Sequence, residues 1–357
     1  MKAQPFGIAR RVCDWQAAHG RHDLPWQNTR DPYRVWVSEI MLQQTQVRTV
    51  IGYFARFMAR FPSVSALAAA SQDDVLALWS GLGYYSRARN LHACAQAVVQ
   101  AHGGEFPGSA AQLATLPGIG RSTAAAIASL CFDERVAILD ANVRRVLSRA
   151  LGFAADLAQA ANNRALWDAA QAVLPPQGAP APAGFSMQRY TQGVMDLGAT
   201  VCLPRQPRCG TCPLGDVCVA RAQDRVQDYP LRTRTLKRSA QQIWLVWLSD
   251  ASGAVWLDKR PTPGVWAGLY CLPLFDSELG LLAALAGVPH ISAPQPLPTF
   301  VHVLTHKDLH IHPWRAQLVG ESAQAGPAVL SSGAWVAADR WPALGLPAPV
   351  RRLLQEG

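Results

Sequence analysis

Residues 202–218 read CLPRQPRCGTCPLGDVC, which places four of the chain's eight cysteines within seventeen residues. The spacing is C-x6-C-x2-C-x5-C, from Cys202, Cys209, Cys212 and Cys218. The opening residues MKAQPFGIARRVCDW carry no apolar stretch of a signal peptide, so a cytosolic location is expected. Structural disulfides are rare there, and tightly spaced cysteines read as metal ligands. Zinc sites usually pair two C-x-x-C knuckles or recruit histidine. Here a single C-x-x-C sits between two longer arms with no histidine nearby. Four thiolates on unequal arms suit an iron–sulfur cube, whose corners lie further apart than the ligands of one ion. Zinc stays open as the alternative, and a disulfide knot as a third.

The rest of the composition bears on what such a loop is for. The 357 residues carry a formal charge of +9, and half of them are apolar. That balance fits a globular chain of two or three domains with a polyanionic partner, nucleic acid before membrane surface. No run of about eighteen apolar residues occurs, so no membrane span is expected.

Residues 1–220 read as short helices joined by tight loops. Apolar residues recur at three- and four-residue steps in EIMLQQTQVRTVIGYFARFMARF, and RFPSVSAL, GLGYYS and FPGSAAQLATLPGIGRS punctuate the pattern. LPPQGAPAPAG at 174–184 is a loop by its Pro and Gly content. Residues 221–240 are polar and basic, with Arg221, Arg225, Arg232, Arg234, Lys237 and Arg238 against Asp224 and Asp228. They read as a linker, either drawn to a phosphate backbone or simply solvated. From 241 strand patterns take over: QIWLVWLSDASGAVWLDKR is two apolar runs about a turn, and FVHVLTHKDLHIHPWRAQLV alternates. APVRRLLQEG at the end suits a short helix. The expected architecture is a mainly α region, 1–220, followed by a small α+β domain, 241–357.

Two glycines bracket one apolar residue in LPGIGRSTA, residues 116–124. Gly118 and Gly120 permit a tight turn with N–H groups aimed at a phosphate, although a plain helix–helix turn has the same residues. Asp140 precedes a helical run and Glu39 sits among apolar residues. Each alone is accounted for as an N-cap and as a helix-edge carboxylate.

The longer motifs decide between these readings. LPWQNTRDPYRVWVSEIMLQQTQV (24–47), GLGYYSRARNLH (81–92), LPGIGRSTAAAI (116–127), LDANVRRV (139–146) and MDLGATVC (195–202) resemble, in order, the adenine DNA glycosylase family. That family lies within the helix-hairpin-helix, iron–sulfur glycosylase superfamily. The resemblance covers nearly all of 5–220. It implies a [4Fe–4S] cluster on Cys202, Cys209, Cys212 and Cys218 that shapes a loop offering Arg205 and Arg208 to DNA. It implies a protonated Glu39 that protonates the leaving adenine, an ionised Asp140 that stabilises the oxocarbenium-like sugar, and Asn142 positioning substrate or water. Endonuclease III-like relatives place a lysine two residues after the second hairpin glycine. Ser122 stands there, and a hydroxyl cannot form a Schiff base, so water should be the final nucleophile.

The target adenine must leave the duplex stack. Gln43, Gln44 and Tyr84 match positions that wedge into the gap or support the opposite base, and Trp26, Leu42, Gln192 and Met195 match the wall of the adenine pocket. Core packing accounts equally well for Trp26, Leu42 and Met195.

Residues 241–357 resemble the Nudix-like C-terminal domain of the same family through RPTPGVWAGLYCLP (260–273). No glutamate-rich magnesium box follows Trp266, so this domain is expected to read the lesion without catalysis. The family's Phe-Ser-His loop for 8-oxoguanine corresponds to Leu304-Thr305-His306, which keeps a hydroxyl and loses the aromatic ring. His302, His306, His310 and His312 fit strand alternation better than metal ligation. The expected activity is monofunctional removal of adenine from A:8-oxoguanine or A:G pairs in double-stranded DNA by a monomer. An endonuclease III-like glycosylase/lyase and a non-catalytic iron–sulfur DNA-binding protein are the alternatives.

Overall fold

The computed structural model describes residues 5–176, 178–233, 238–319, 330 and 333–356. The helices are α1 Pro5–His19, α2 Pro32–Leu42, α3 Val47–Arg60, α4 Val64–Ala69, α5 Gln72–Trp79, α6 Ser86–His102, α7 Ala110–Leu113, α8 Arg121–Cys131, α9 Ala141–Leu151, α10 Ala160–Ala172, α11 Met187–Thr200, α12 Val219–Ala222, α13 Glu278–Ala286 and α14 Ala348–Glu356. The strands are β1 Ser239–Ser249, β2 Val255–Lys259, β3 Tyr270–Cys271, β4 Leu274–Phe275, β5 Gln295–Pro296, β6 Phe300–Val303, β7 Lys307–Gln317 and β8 Ala334–Val336. None of the helices is long and apolar enough to cross a membrane.

The chain divides into two compact units, Met1–Ala68 with Ala93–Thr235, and Ala69–His92 with Leu236–Gly357. In this division residues 69–92 group with the C-terminal part. The segment expected as a linker also departs from a free connector in its described portion. Tyr229 is buried, the Arg149 Nε donates to its carbonyl at 3.2 Å, and Leu157 N–H donates to the Leu231 carbonyl at 3.0 Å. Burying the Tyr229 ring offsets the entropy of ordering that stretch. Arg234 and Lys237 lie outside the described residues.

Helix starts in the first unit follow from local sequence. Asp31 caps α2 by accepting from Tyr33 N–H at 2.9 Å, with Pro32 in the first turn. Ser186 caps α11 through Arg189 N–H at 3.3 Å. Such caps satisfy donors that no helical carbonyl can reach. At the other end of α9, Gly152 takes φ +65°, the left-handed cap conformation. The apolar faces of α1, α9 and α11 meet in a core that includes Ile8, Val12, Val143, Leu147, Tyr190 and Leu197.

The second unit is a sheet in the order β3-β2-β1-β7-β5, with β4 on β1, β6 on β7 and β8 on β2. β1 and β7 pair in parallel from Ser239↔Lys307 to Ser249↔Gln317. The expected hairpin joins β1 and β2, and Asp250 Oδ1 accepts from Ser252 and Ala254 N–H groups to fix its turn. Along β7, Leu309 and Ile311 are buried, while His310 and His312 fall on the alternate face, where His312 stacks on Trp244 with centroids 4.7 Å apart. Among the described residues no group of three or more His, Cys, Asp or Glu is arranged to hold one metal ion.

Candidate active site

Glu39 lies in the last turns of α2, a helix anchored by the fully buried Trp36 and Met41. Its side chain forms part of the wall of a cavity of about 50 Å³, in which Trp26, Leu42, Gln192 and Met195 also take part. Four residues from three separate stretches of sequence thus meet at one carboxyl. Glu39 keeps a solvent-accessible edge, but the apolar wall removes most of its hydration. Burial first, then the charge of Asp140, pushes its pKa up from 4.5 to about 7. The carboxyl therefore holds its proton near neutrality.

Asp140 is the N-cap of α9, and its Oδ1 accepts from Val143 N–H at 2.7 Å. The cap role and proximity to Glu39 coexist in one carboxylate. Burial raises its pKa; the N–H groups of Val143 and Asn142, then Arg145 and Arg144, work in the opposite direction. Asn142 is already engaged: its Oδ1 accepts from Arg145 Nη2 at 2.9 Å, which leaves its Nδ2 as donor. Neither Asp140 nor Asn142 lines the Glu39 cavity. Ser122 stands beside this point, its Oγ accepting from Leu139 N–H at 3.4 Å. The hairpin before it takes the expected shape, with Gly118 at φ +74° and Gly120 as the N-cap of α8.

Arg21 and Gln192, which line this cavity, share one partner outside its lining, Asp196, which is fully buried. It takes Arg21 Nε at 2.7 Å and Nη2 at 2.6 Å, Arg21 N–H at 2.9 Å, and Gln192 Nε2 at 2.9 Å. Arg21 and Asp196 stand 175 positions apart, and nothing in the sequence flags their pairing. A signal existed only in MDLGATVC, which places Asp196 one residue after the pocket residue Met195.

Gln43 Nε2 donates to Thr123 Oγ1 at 3.4 Å, on the helix that follows the hairpin. Gln44 is exposed at φ +57°, an uncommon backbone state for a side chain of its size. Tyr84, Thr305 and His306 lie in the second unit, where they line an open cleft of about 700 Å³ together with Trp266 and His302. Tyr84 also takes positive φ, at +48°, and the Arg87 guanidinium lies 5.2 Å from its ring centroid.

The four clustered cysteines are half-buried and line one small cavity of about 20 Å³. Arg149 Nη1 donates to Cys202 Sγ at 3.4 Å and to the Leu203 carbonyl at 2.7 Å, while Arg145 Nε donates to the Cys202 carbonyl at 2.8 Å. Burial pushes the Cys212 thiol up to about 11. Cys13, Cys94, Cys131 and Cys271 are buried elsewhere.

Residues 37–172 match the HhH-GPD superfamily of base excision DNA repair proteins, and residues 243–356 match a NUDIX domain. A thermostable thymine-DNA glycosylase superposes with a TM-score of 0.53 at 25% identity, over 62% of this chain and 97% of its own. Endonuclease III in a non-covalent complex with DNA does so at 0.50 and 19% identity, over 63% of this chain and 98% of its own, a likeness of fold. Fold and site together define a helix-hairpin-helix glycosylase joined to a Nudix-like domain. The adenine DNA glycosylase of Buchnera aphidicola from Acyrthosiphon pisum is 35% identical over 353 residues, 98% of this chain and 97% of that protein. The mouse adenine DNA glycosylase is 46% identical over 216 residues, 58% of this chain and 40% of that protein. The chain belongs to the adenine DNA glycosylase family of base excision repair enzymes.

Proposed function

We propose that the protein is a monofunctional glycosylase that hydrolyses the N-glycosidic bond of adenine opposite 8-oxoguanine or guanine in duplex DNA. The observation that carries this reading is Glu39 in an apolar-walled cavity with its pKa raised to about 7. An acid that keeps its proton at neutral pH can deliver it to a ring nitrogen of adenine as the bond to the sugar breaks. Asp140 then faces a developing cation. That positive charge favours the carboxylate over the acid, against the raising effect of burial, and the Val143 and Asn142 N–H groups hold the anion in place. Asn142 retains an amide N–H to orient the sugar or the attacking water. Ser122 at the hairpin supplies no amine, so the product is an abasic site rather than a nicked strand.

Gly118, Gly120, Gln43 and Gln44 serve the phosphate and the vacated stack, and Tyr84, Thr305 and His306 serve the base opposite. We assign residues 1–220 to the glycosylase function and 241–357 to lesion reading, in a chain acting as a monomer. Cys202, Cys209, Cys212 and Cys218 fit a [4Fe–4S] cluster: all four line one cavity, and they come from arms of unequal length. When bound, the cluster supplies a rigid scaffold for the loop bearing Arg205 and Arg208. Iron and acid-labile sulfide in the purified protein, lost on Cys218→Ala, test this assignment.

The central test is base release from duplexes carrying A opposite 8-oxoguanine, G, C or T. Release is expected opposite the first two and slow or absent opposite the others. Intact adenine in all four duplexes would refute the reading, and equal release from all four would refute the pairing specificity.

A further inference from the structure

We infer that Asp196 determines which purine the pocket accepts, by fixing the polarity of the Gln192 amide. The inference rests on the adenine-release reading above and names a positioning residue for it.

A carboxylate accepts hydrogen bonds and cannot donate them. Gln192 sits 2.9 Å from Asp196 Oδ1, so the amide must turn its NH₂ toward Asp196. Its Oε1 is then left to the cavity it lines beside Glu39. The orientation is held firmly, because Asp196 is 0% exposed and is itself locked by three donors of Arg21. Two of those bonds are charge-assisted, and an amide flip would set the Gln192 oxygen against a buried carboxylate. The same contact therefore presents a fixed acceptor to the ligand. An exocyclic amine at purine position 6 donates to it, whereas an oxygen at position 6 would place two acceptors face to face. A site of this kind rejects a mismatched analogue because the unpaired polar groups remain desolvated. Asp196 thus sets the preference for a 6-aminopurine over a 6-oxopurine through Gln192.

The experiment compares full-length wild type with Asp196→Asn on duplexes carrying adenine or hypoxanthine opposite guanine, as single-turnover rates. The carboxamide introduced by Asp196→Asn can donate, so Gln192 becomes free to turn over. The adenine-to-hypoxanthine rate ratio should fall about tenfold or more in the variant, and Asp196→Glu, which still only accepts, should keep it. In a Gln192→Ala background, Asp196→Asn should leave the ratio unchanged. Equal losses on both substrates, or a ratio that Asp196→Asn still changes without Gln192, would overturn the inference. Because Asp196→Asn leaves Arg21 without its buried anion and could prevent folding, wild type supplies an independent arm. Binding to duplexes carrying non-hydrolysable 2′-fluoro nucleotides should weaken from adenine to unsubstituted purine to hypoxanthine. Hypoxanthine bound as tightly as adenine would overturn the inference too. Absence of adenine release by wild type would instead strike the functional reading itself.

Discussion

The Tyr84 hydroxyl lies 2.5 Å from Thr305 Oγ1, joining residues 221 positions apart within the second unit. Tyr84 is 42% exposed, so the bond holds a ring that would otherwise swing in solvent. The Thr305 hydroxyl is used here to aim Tyr84. Tyr84→Phe and Thr305→Val should each weaken binding to a duplex containing 8-oxoguanine by about three- to tenfold, the cost of one hydrogen bond. Titrations of both single variants and the double should show the two effects failing to add.

Single-turnover base release should fall as pH rises through about 7, because Glu39 acts in its protonated form and titrates there. Rates measured between pH 5 and 9 should drop with unit slope on the alkaline side. Glu39→Gln should abolish release while retaining DNA binding, and full activity in that variant would remove Glu39 from the chemistry.

The same carboxyl carries a cost in stability. Its folded pKa of about 7 exceeds the ordinary 4.5, so folding opposes ionisation and stability declines as pH rises from 4.5 toward 7. Glu39→Gln is relieved of that penalty. Denaturant unfolding should find it more stable than wild type at pH 8, on the order of 2 kcal/mol, with the difference gone near pH 4.

Borohydride should fail to trap the enzyme on DNA, since the hairpin position beside Leu139 holds the Ser122 hydroxyl and not an amine. A covalent adduct on a denaturing gel would show that some other lysine or the N-terminus attacks the sugar.

Much of this is legible in the sequence. The turn at Asp250–Ala254, the N-cap at Asp140 and the glycine pair at 118 and 120 are local chemistry, and local chemistry is written in consecutive residues. The gathering of Trp26, Leu42, Gln192 and Met195 about Glu39 came from resemblance to a family, since neither spacing nor periodicity links residue 26 to 195. The Arg21–Asp196 pair is not legible there, because an ion pair between distant segments leaves no pattern in either one. The parallel pairing of β1 with β7 was equally hidden: two alternating runs announce strands but not their neighbours.

Leu76 and Trp79 of α5 are fully buried, and Cβ atoms placed at Gly268 or Gly345 would fall against Leu76. A sheet-bearing module that reads in the primary structure as a detachable tail has therefore kept a piece of itself among the early helices. Truncation after residue 235 would strand that piece with its apolar side bare, so an assay on the shortened polypeptide would report damage as much as lost lesion reading. On the ribosome, too, α5 must wait while well over a hundred further residues are made before the surface that shelters it exists.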